Sequence, residues 1–424
     1  MNNIARATAD AVARRSYGKL IALLGTRTRD VAGAEDALSD AFATALAEWP
    51  LGGCPANPEA WLLTVARRKL IDRARKRKHG ESVAEQLLVL TDELVDHAAE
   101  AAAIPDQRLA LMFACAHPAI DAGIRAPLIL QVVLGLDAAT IASAFLMAPA
   151  AMGQRLVRAK AKIRQAAIPF RIPESEELGE RLAAVLEAIY AVFAEGWADA
   201  AGTDVARRDL AEEAIYLGRL ITTLLPEEPE ALGLLALMLY TEARRRARRD
   251  AAGEYVPLAS QDTSLWDAPM IEEAEALLRQ ASRQAVFGRY QLEAALQSAH
   301  VHRRLTGIAN WPHVVQLYDA LLQSCGSPVV AINRALALAE LQNPAAALSA
   351  LDAVATDPRL LEYQPYWAAR AALLAKTGAG TEARHAYDVA IGLERDPAVR
   401  RFLQQRRAEV SVLPSAPSTL TLPA

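Results

Sequence analysis

Eight lysines and arginines, with a single aspartate, fall within the segment from Val65 to His79 of a chain whose net charge is −4. Cations at this density attract phosphate groups, and a basic patch on an otherwise acidic protein is typical of nucleic-acid binding. A second cluster has five cations and no acid, namely Arg155, Arg158, Lys160, Lys162 and Arg164. The sequence therefore predicts two separate surfaces for nucleic acid.

The two halves of the chain differ in charge. Residues 1–170 hold 21 Lys and Arg against 17 Asp and Glu, whereas residues 171–424 hold 25 against 33. This asymmetry indicates a front half that faces nucleic acid and a back half with another task.

The composition is that of a soluble, multi-domain helical protein. Its 424 residues are 53% hydrophobic and 5% aromatic, and the length suggests two to four domains. Cys54, Cys115 and Cys325 are far apart, which favours reduced thiols. No signal peptide is recognisable, and the strongest apolar run, 231–240, is too short to span a bilayer. We therefore expect a cytoplasmic protein without membrane association.

Local signals place the first basic cluster on a helix. A helix with an apolar face is predicted from Asp30 to Trp49, and prolines and glycines then force a loop. Asn57 and Pro58 have the residue types of an N-cap and a first helical position. One side of the helix that follows carries Leu63, Leu70 and Ala74, and roughly the opposite side carries Trp61, Arg68 and Arg75. One side can therefore pack while the other binds a ligand.

An acidic segment follows the basic helix. From Gly80 to Gln107 there are seven acids and no Lys or Arg. Such a segment is either a tether that avoids or imitates DNA, or a plain linker that only sets a distance.

The second cluster closes a predicted helix-turn-helix. Residues 136–145 form the first helix, with Asp137 as its N-cap and Ile141 and Ala142 packed inward, and residues 150–164 form the second helix after a tight turn. In this motif the start of the second helix reaches base edges, and later cations bind phosphates. Alanine-rich hairpins imitate the pattern, so it is weak without context.

That context is a resemblance to a known family. Tyr17–Leu20, Ala34–Phe42 and Asn57–Asp72 resemble region 2 of bacterial extracytoplasmic-function (ECF) sigma factors, and Asp106–Phe170 resembles their region 4. Residues 147–164 lie where that family has its recognition helix. The resemblance implies a protein without catalytic activity or cofactor that binds core RNA polymerase and promoter DNA and helps to open the duplex.

The remaining residues resemble the long extension of one sigma subgroup, in which a tetratricopeptide-like domain follows region 4. The matching stretches are 192–197, 209–215, 228–238 and 261–267. Independently, the pattern from Arg334 to Asp352 recurs 36 residues later, from Arg370 to Asp388. A period near 34 residues is typical of stacked helical hairpins.

The resemblance implies a polymerase-binding role for the helix that begins at Asp30. Leu38 and Phe42 would supply apolar contact or packing, and Asp36 and Asp40 would complement a basic partner. The alternative for each residue is an ordinary core or solvated role.

The resemblance also implies that the first basic helix recognises the minus-10 element and captures a flipped base. This function needs a pocket or stacking surface together with cations on the backbone. The candidates are Asn57, Trp61, Arg68, Lys69, Asp72, Arg75 and Lys76. Trp61 is equally suited to a core position, and Asp72 to pairing with Arg68 or Lys76 at helical spacing.

For the minus-35 element the resemblance implies contacts from Ala150, Ala151, Gln154, Arg155 and Arg158. Ala, Met and Gly occupy 151, 152 and 153, where the family often has Thr, Val and Lys. Fewer side chains can donate hydrogen bonds, so readout depends on Gln154, Arg155 and DNA shape. The promoter sequence does not follow from these residues.

Other function classes fit less well. His300, His302, His313 and Cys325 lack metal-ligand spacing, and no catalytic motif is recognisable, so we expect neither an enzyme nor a cofactor. The main alternative is a stand-alone helix-turn-helix repressor with a ligand- or protein-binding helical domain, which leaves the region 2 resemblance unexplained. The arginine run 244–249 is suited either to a partner or to a solvated helix end.

The expected fold class is all-α. Residues 1–79 are assigned to a compact four-helix region 2, 80–104 to an acidic linker and 105–170 to region 4. Residues 171–410 are assigned to a tetratricopeptide-like extension and 411–424 to a flexible tail. The extension is expected to regulate the protein in cis, through contact with the sigma domains, or to contact polymerase.

Overall fold

The computed structural model describes residues 2–28, 30–76, 107–145, 147–174, 177–198, 205–284 and 286–410. These residues are largely helical, and an isolated bridge between Arg249 and Tyr255 is the only β pairing among them. The all-α prediction is confirmed. The proposed linker 80–104 and tail 411–424 lie outside the described residues. The chain divides into two compact units, one with Met1–Ala198 and Asp204–Leu217, the other with Asp199–Thr203 and Gly218–Ala424.

The first unit begins with the helices α1 (Asn2–Thr28), α2 (Val31–Gly52) and α3 (Pro58–Lys76). Asp30 caps α2, since its carboxylate accepts a hydrogen bond from the backbone N–H of Gly33 at 3.1 Å. Helix α2 continues past Trp49, its expected end, because a proline in the last turn forfeits only one helical hydrogen bond. Three helices, rather than the expected four, occupy the described part of 1–79.

Four further helices follow: α4 (Arg108–Cys115), α5 (Ala122–Leu134), α6 (Ala138–Ala144) and α7 (Pro149–Gln165). The carboxylate of Asp137 accepts hydrogen bonds from the backbone N–H groups of Ala139 and Thr140, at 2.8 and 2.9 Å. Ile141 and Ala142 are buried. Helices α6 and α7 therefore lie where the two helices of the motif were predicted, with the predicted cap and buried residues.

Helices α1 and α5 approach each other at backbone distance. A Cβ atom on Gly18 would lie 1.7 Å from the carbonyl oxygen of Val133, so only glycine fits there. Next to it, the ring of Tyr17 lies against Gly135, whose positive φ of 67° ends α5 in the left-handed conformation. Helix α1 is thus packed directly against α5.

Two more helices begin in the first unit, α8 (Leu178–Ala198) and α9 (Val205–Leu224), and the boundary between the units falls within α9. Helix α8 packs on α5. The buried Arg125 donates to Glu180 at 3.2 Å and to the carbonyl oxygen of Ile120 at 3.0 Å. Arg108, also buried, pairs with Glu213 of α9. These contacts tie α8 to α5 and α9 to α4.

The second unit is a succession of helices that pack mainly on their neighbours along the chain. They are α10 (Pro229–Glu242), α11 (Ala268–Ala281), α12 (Arg289–Thr306), α13 (Trp311–Cys325), α14 (Pro328–Leu341), α15 (Pro344–Asp352), α16 (Gln364–Lys376), α17 (Gly380–Leu393) and α18 (Pro397–Glu409). One apolar core extends from Leu292 to Leu373 and a second from Ala371 to Val410.

An arginine–aspartate pair recurs along this unit. Each pair links a helix to the one before it, and the pairs are Arg334 with Asp319, Arg370 with Asp352, and Arg407 with Asp388. The three arginines are 36 and 37 residues apart, which agrees with the internal repeat read from the sequence. The assignment to the tetratricopeptide class stays a prediction.

The arginine run after α10 is built into this unit. Arg244 donates to the side-chain oxygen of Gln297 at 2.6 Å, Arg245 binds Glu242 at 2.6 Å, and Arg249 pairs with Asp396. Burial lowers the pKa of Arg244 and of Arg248 to about 10. Most of the run therefore braces the fold, and Arg246 is its exposed member.

No helix among the described residues is both long and apolar enough to cross a membrane.

Candidate nucleic-acid interface

Helix α3 has one packed side and one solvent side. Asn57 caps it, because its side-chain oxygen accepts a hydrogen bond from the backbone N–H of Ala60 at 3.1 Å. Leu62, Leu63, Ala66, Leu70 and Ile71 form the buried side. Arg68 and Asp72 are exposed on the opposite side, and Lys69 is half-buried. The predicted cap and the predicted orientation of Arg68 are confirmed.

The aromatic candidate Trp61 is half-buried and lies edge-on to Trp49 of α2, with 5.4 Å between ring centroids. This contact anchors α3 on α2 and leaves part of the Trp61 ring accessible. Arg75 and Lys76 belong to the last turn of α3, and their side chains lie outside the described residues.

An open groove lies beside the start of α3. Its volume is about 590 Å³, and it is lined by Ile4, Ala7, Thr8, Ala11, Val12, Ala56, Asn57, Pro58 and Glu59. Glu59 accepts a hydrogen bond from the buried hydroxyl of Ser16 on α1, which fixes the first turn of α3 against that helix. The groove combines apolar walls from α1 with one exposed amide, that of Asn57.

The acids of α2 bind cations of α3. Arg73 donates to Asp36 at 3.1 Å and to Asp40 at 2.9 Å. Leu38 is fully buried, which agrees with the packing role given as its alternative, and its contact with polymerase stays a prediction. Phe42 is half-buried. The side of α2 that remains accessible therefore carries Asp36, Asp40 and part of Phe42.

Helix α7 buries Met152, Leu156, Ala159 and Ile163. Its opposite side presents Ala150, Gln154, Val157 and Arg158, all exposed, and Ala151 is exposed beside them. Val157 was not among the sequence candidates, yet it is 65% exposed. The sequence did contain a signal for it, because Val157 falls outside the three-and-four spacing of the buried residues.

Several cations of α7 are bound within the protein. Arg155 donates to Asp121 at 3.1 Å and to the sulfur of Met147 at 3.5 Å. Lys160 donates to Glu35 of α2 at 2.7 Å, and Arg164 pairs with Asp30 at 3.5 Å. Arg158 and Lys162 are exposed. The part of α7 that can read bases is therefore smaller than its charge suggests.

The pair of Lys160 and Glu35 is nearly buried, with side chains 13% and 14% exposed. Burial raises the pKa of Glu35, and the hydrogen bond from Lys160 lowers it in part. Desolvation is the larger effect, as is usual for ion pairs removed from water. The pair therefore fixes the position of α7 on α2 in a largely desolvated contact.

Among the described residues, no three His, Cys, Asp or Glu side chains lie close enough together to hold a metal ion. His300 is packed against Trp311, and burial lowers its pKa to about 4.

Two stretches of the chain match known protein families. Residues 12–80 match the Sigma-70 region 2 family, and residues 181–282 match a family of unknown function, DUF6596. An uncharacterized protein of Rhizobium meliloti (strain 1021) is 39% identical over 392 residues, which cover 91% of each chain. No solved structure matches the chain. The chain belongs to the family of this Rhizobium protein, and its N-terminal sigma-70 region 2 supports a role as a sigma factor in transcription initiation.

Proposed function

We propose that the protein is an ECF-type sigma factor that binds core RNA polymerase and directs promoter recognition and opening, with its C-terminal helices regulating this activity in cis. The observation that carries the proposal is the sigma-70 region 2 at residues 12–80. Within it, the cation-rich helix α3 turns Arg68 to solvent. A cationic, solvent-facing helix next to a groove has the properties that single-strand capture requires.

Minus-10 recognition is proposed for α3 and the groove at its start. Arg68 and Lys69 would bind the phosphate backbone, as would Arg75 and Lys76. The groove of about 590 Å³ accepts a flipped base between the apolar wall of α1 and the amide of Asn57. An amide recognises a base by hydrogen bonds to its edge. The accessible edge of Trp61 offers a stacking surface for a neighbouring base.

Polymerase binding is proposed for α2. Asp36 and Asp40 are partly exposed and are held by Arg73, itself 35% exposed, so a basic surface on polymerase can compete for them. Phe42 lies one helical turn away from Leu38 on this helix and is half-buried. An apolar side chain beside two carboxylates suits a partner with a mixed surface.

Minus-35 recognition is proposed for α7. Gln154 and Arg158 point to solvent from the side opposite the helix-turn-helix core, and these side-chain types hydrogen-bond adenine and guanine edges. Arg155 is bound to Asp121. We assign it to bracing α7 on α5 rather than to reading bases directly.

Regulation in cis is proposed to act through α8. This helix packs on α5, and the buried Arg125 binds Glu180 there. A truncation after Phe170 would remove α8 and expose the side of α5 that it covers, so truncation cannot test the idea. Glu180→Arg, which places two cations against each other, should change promoter output, whereas Glu212→Arg on exposed α9 surface should not. Equal output from both variants would exclude this route.

Reconstituted transcription tests the proposal as a whole. The full-length protein should copurify with core polymerase and direct run-off transcription from start sites that sequencing can map. A stand-alone repressor would instead protect its operator without polymerase and would fail to start transcription. Failure to bind core polymerase would therefore exclude the sigma-factor proposal.

Asn57→Ser tests base capture. Serine retains an oxygen that can cap α3 but lacks the amide, so folding should be kept while the contact with the base is lost. We expect normal polymerase binding and reduced reactivity of unpaired thymines towards permanganate in the promoter complex. Cys54→Ser, an exposed residue of the same loop that does not line the groove, is the matched control. Undiminished opening by Asn57→Ser would remove Asn57 from base capture.

A further inference from the structure

The small residues at the start of α7 change which part of the helix can read DNA. Ala150 and Ala151 are exposed, and no other group lies within 4 Å of a Cβ placed on Gly153. With short side chains at its tip, a recognition helix can approach the floor of the major groove more closely than one that carries long residues there. The next turn, with Gln154, Val157 and Arg158, then comes within reach of the bases.

Val157 is the anomalous residue of that turn. It is 65% exposed, whereas the other large apolar residues of α7, Met152, Leu156 and Ile163, are buried. It lies three residues after Gln154 and directly before Arg158, so the three side chains share the solvent side of the helix. An exposed valine between an amide and a guanidinium gives the outer face of α7 one apolar point.

We propose that Val157 is a specificity-determining residue that recognises the C5-methyl group of a thymine in the minus-35 element. In the major groove that methyl is the one apolar group that distinguishes thymine, and apolar side chains recognise it by contact. Gln154 and Arg158 on either side suit a purine on each flank. The inference rests on the proposed role of α7 as the minus-35 reader and adds the base that it prefers.

A parallel selection tests the residue. Holoenzyme assembled with the wild-type chain, Val157→Ser or Gln165→Ser is used to select duplexes from one pool with a randomised minus-35 segment. Gln165 is exposed at the end of α7, beyond the reading turn. Wild type and Gln165→Ser should enrich the same thymine, and Val157→Ser should lose that preference alone. Unchanged thermal stability confirms that Val157→Ser folds.

Uracil substitution tests the methyl group. Replacing the selected thymine by uracil removes only the methyl, and wild-type holoenzyme should bind that duplex about fourfold more weakly, the size expected from one lost apolar contact. Val157→Ser should bind both duplexes equally, and Val157→Thr, which keeps one methyl, should retain part of the difference.

Three results would overturn the inference. Identical base preferences of wild type and Val157→Ser would exclude Val157 as a reader, and full tolerance of uracil by the wild type would exclude the methyl as its target. If the wild-type holoenzyme starts transcription but selects no sequence in the minus-35 segment, the role of α7 fails together with this inference, while the minus-10 proposal stands.

Discussion

Helices α3 and α7 have similar cationic compositions, and the structure uses their charges differently. On α3, Arg73 is bound by acids of α2, whereas Arg68 is exposed. On α7, Lys160 and Arg164 are bound by acids of the same helix α2, and Arg155 by Asp121. The count of positive charges therefore overestimates the DNA-binding surface, most of all for α7.

The comparison also shows that α2 is a partner of both basic helices. Asp36 and Asp40 face α3, and Asp30 and Glu35 face α7. A partner that engages the acids of α2 would compete with these internal cations. Gly18→Ala tests the packing of the unit that holds both helices. Three further variants, in decreasing order of expected effect, test whether the two helices differ as described.

Gly18→Ala should have the largest effect on stability. The new Cβ would clash with the carbonyl oxygen of Val133, a backbone atom that cannot turn aside, so α1 and α5 must separate. We expect the free energy of unfolding to fall by about 3 kcal/mol in urea titration. Gly179→Ala, on an open side of α8, should be neutral or slightly stabilising. Equal effects of the two variants would contradict the close approach.

Lys160→Met should leave the carboxylate of Glu35 without its partner in a largely buried position. We expect a loss of about 2 kcal/mol, less than for a fully buried pair because both side chains keep some solvent contact. The double variant with Glu35→Leu should recover to within about 1 kcal/mol of wild type. A double variant no more stable than Lys160→Met would show that the pair itself stabilises the contact of α7 with α2.

The pH dependence of Lys160→Met follows from Glu35. Burial raises the pKa of this carboxyl in the folded protein, so the folded state binds its proton more tightly than the unfolded state does. The stability linked to that proton is present at low pH and is lost as pH rises through the folded pKa. The loss in free energy of unfolding caused by Lys160→Met should therefore be smaller near about pH 4 than near about pH 8. A deficit that grows on acidification would contradict this.

Arg68→Ala should weaken promoter binding without changing stability. Loss of one phosphate contact should reduce affinity about fivefold at about 0.15 M salt and lower the slope of log affinity against log salt by about 1. Arg246→Ala, an exposed arginine of the second unit, removes the same charge elsewhere and should leave the slope unchanged. Equal slopes for both variants would mean that Arg68 does not contact phosphate.

Arg73→Ala should have the smallest effect. Its ion pairs with Asp36 and Asp40 are partly exposed, and pairs of this kind contribute at most about 1 kcal/mol. We expect a shift below that value in urea titration. A larger loss of stability would show that Arg73, like Lys160, is needed for helix packing. The difference between α3 and α7 in the use of their cations would then be smaller.

Local signals made much of this fold predictable. The caps at Asn57 and Asp137 act within three residues of the helix that they start, so sequence spacing alone reveals them. The helical spacing of apolar residues predicted two helices joined by a turn, together with their buried residues. The repeat near 36 residues predicted the regular succession of helices in the second unit.

The candidate sites were less predictable because their partners are remote in the chain. Glu35 and Lys160 are 125 positions apart, and Arg108 and Glu213 are 105 apart. No spacing rule relates such residues, so the sequence could not show that Lys160 is bound by Glu35 or that Arg108 is bound by Glu213. Neither could it show that α8 packs on α5, since the apolar face of a helix does not specify the surface that covers it.

The sequence by itself determined the helical class, the helix starts and the presence of two cation-rich helices, because each depends on residues within a few positions of one another. Only the tertiary structure decided which cations remain available to DNA and which bind acids at the start of α2, and that α8 covers one side of α5. Those outcomes depend on burial and on contacts between distant segments, which exist only once the chain has folded.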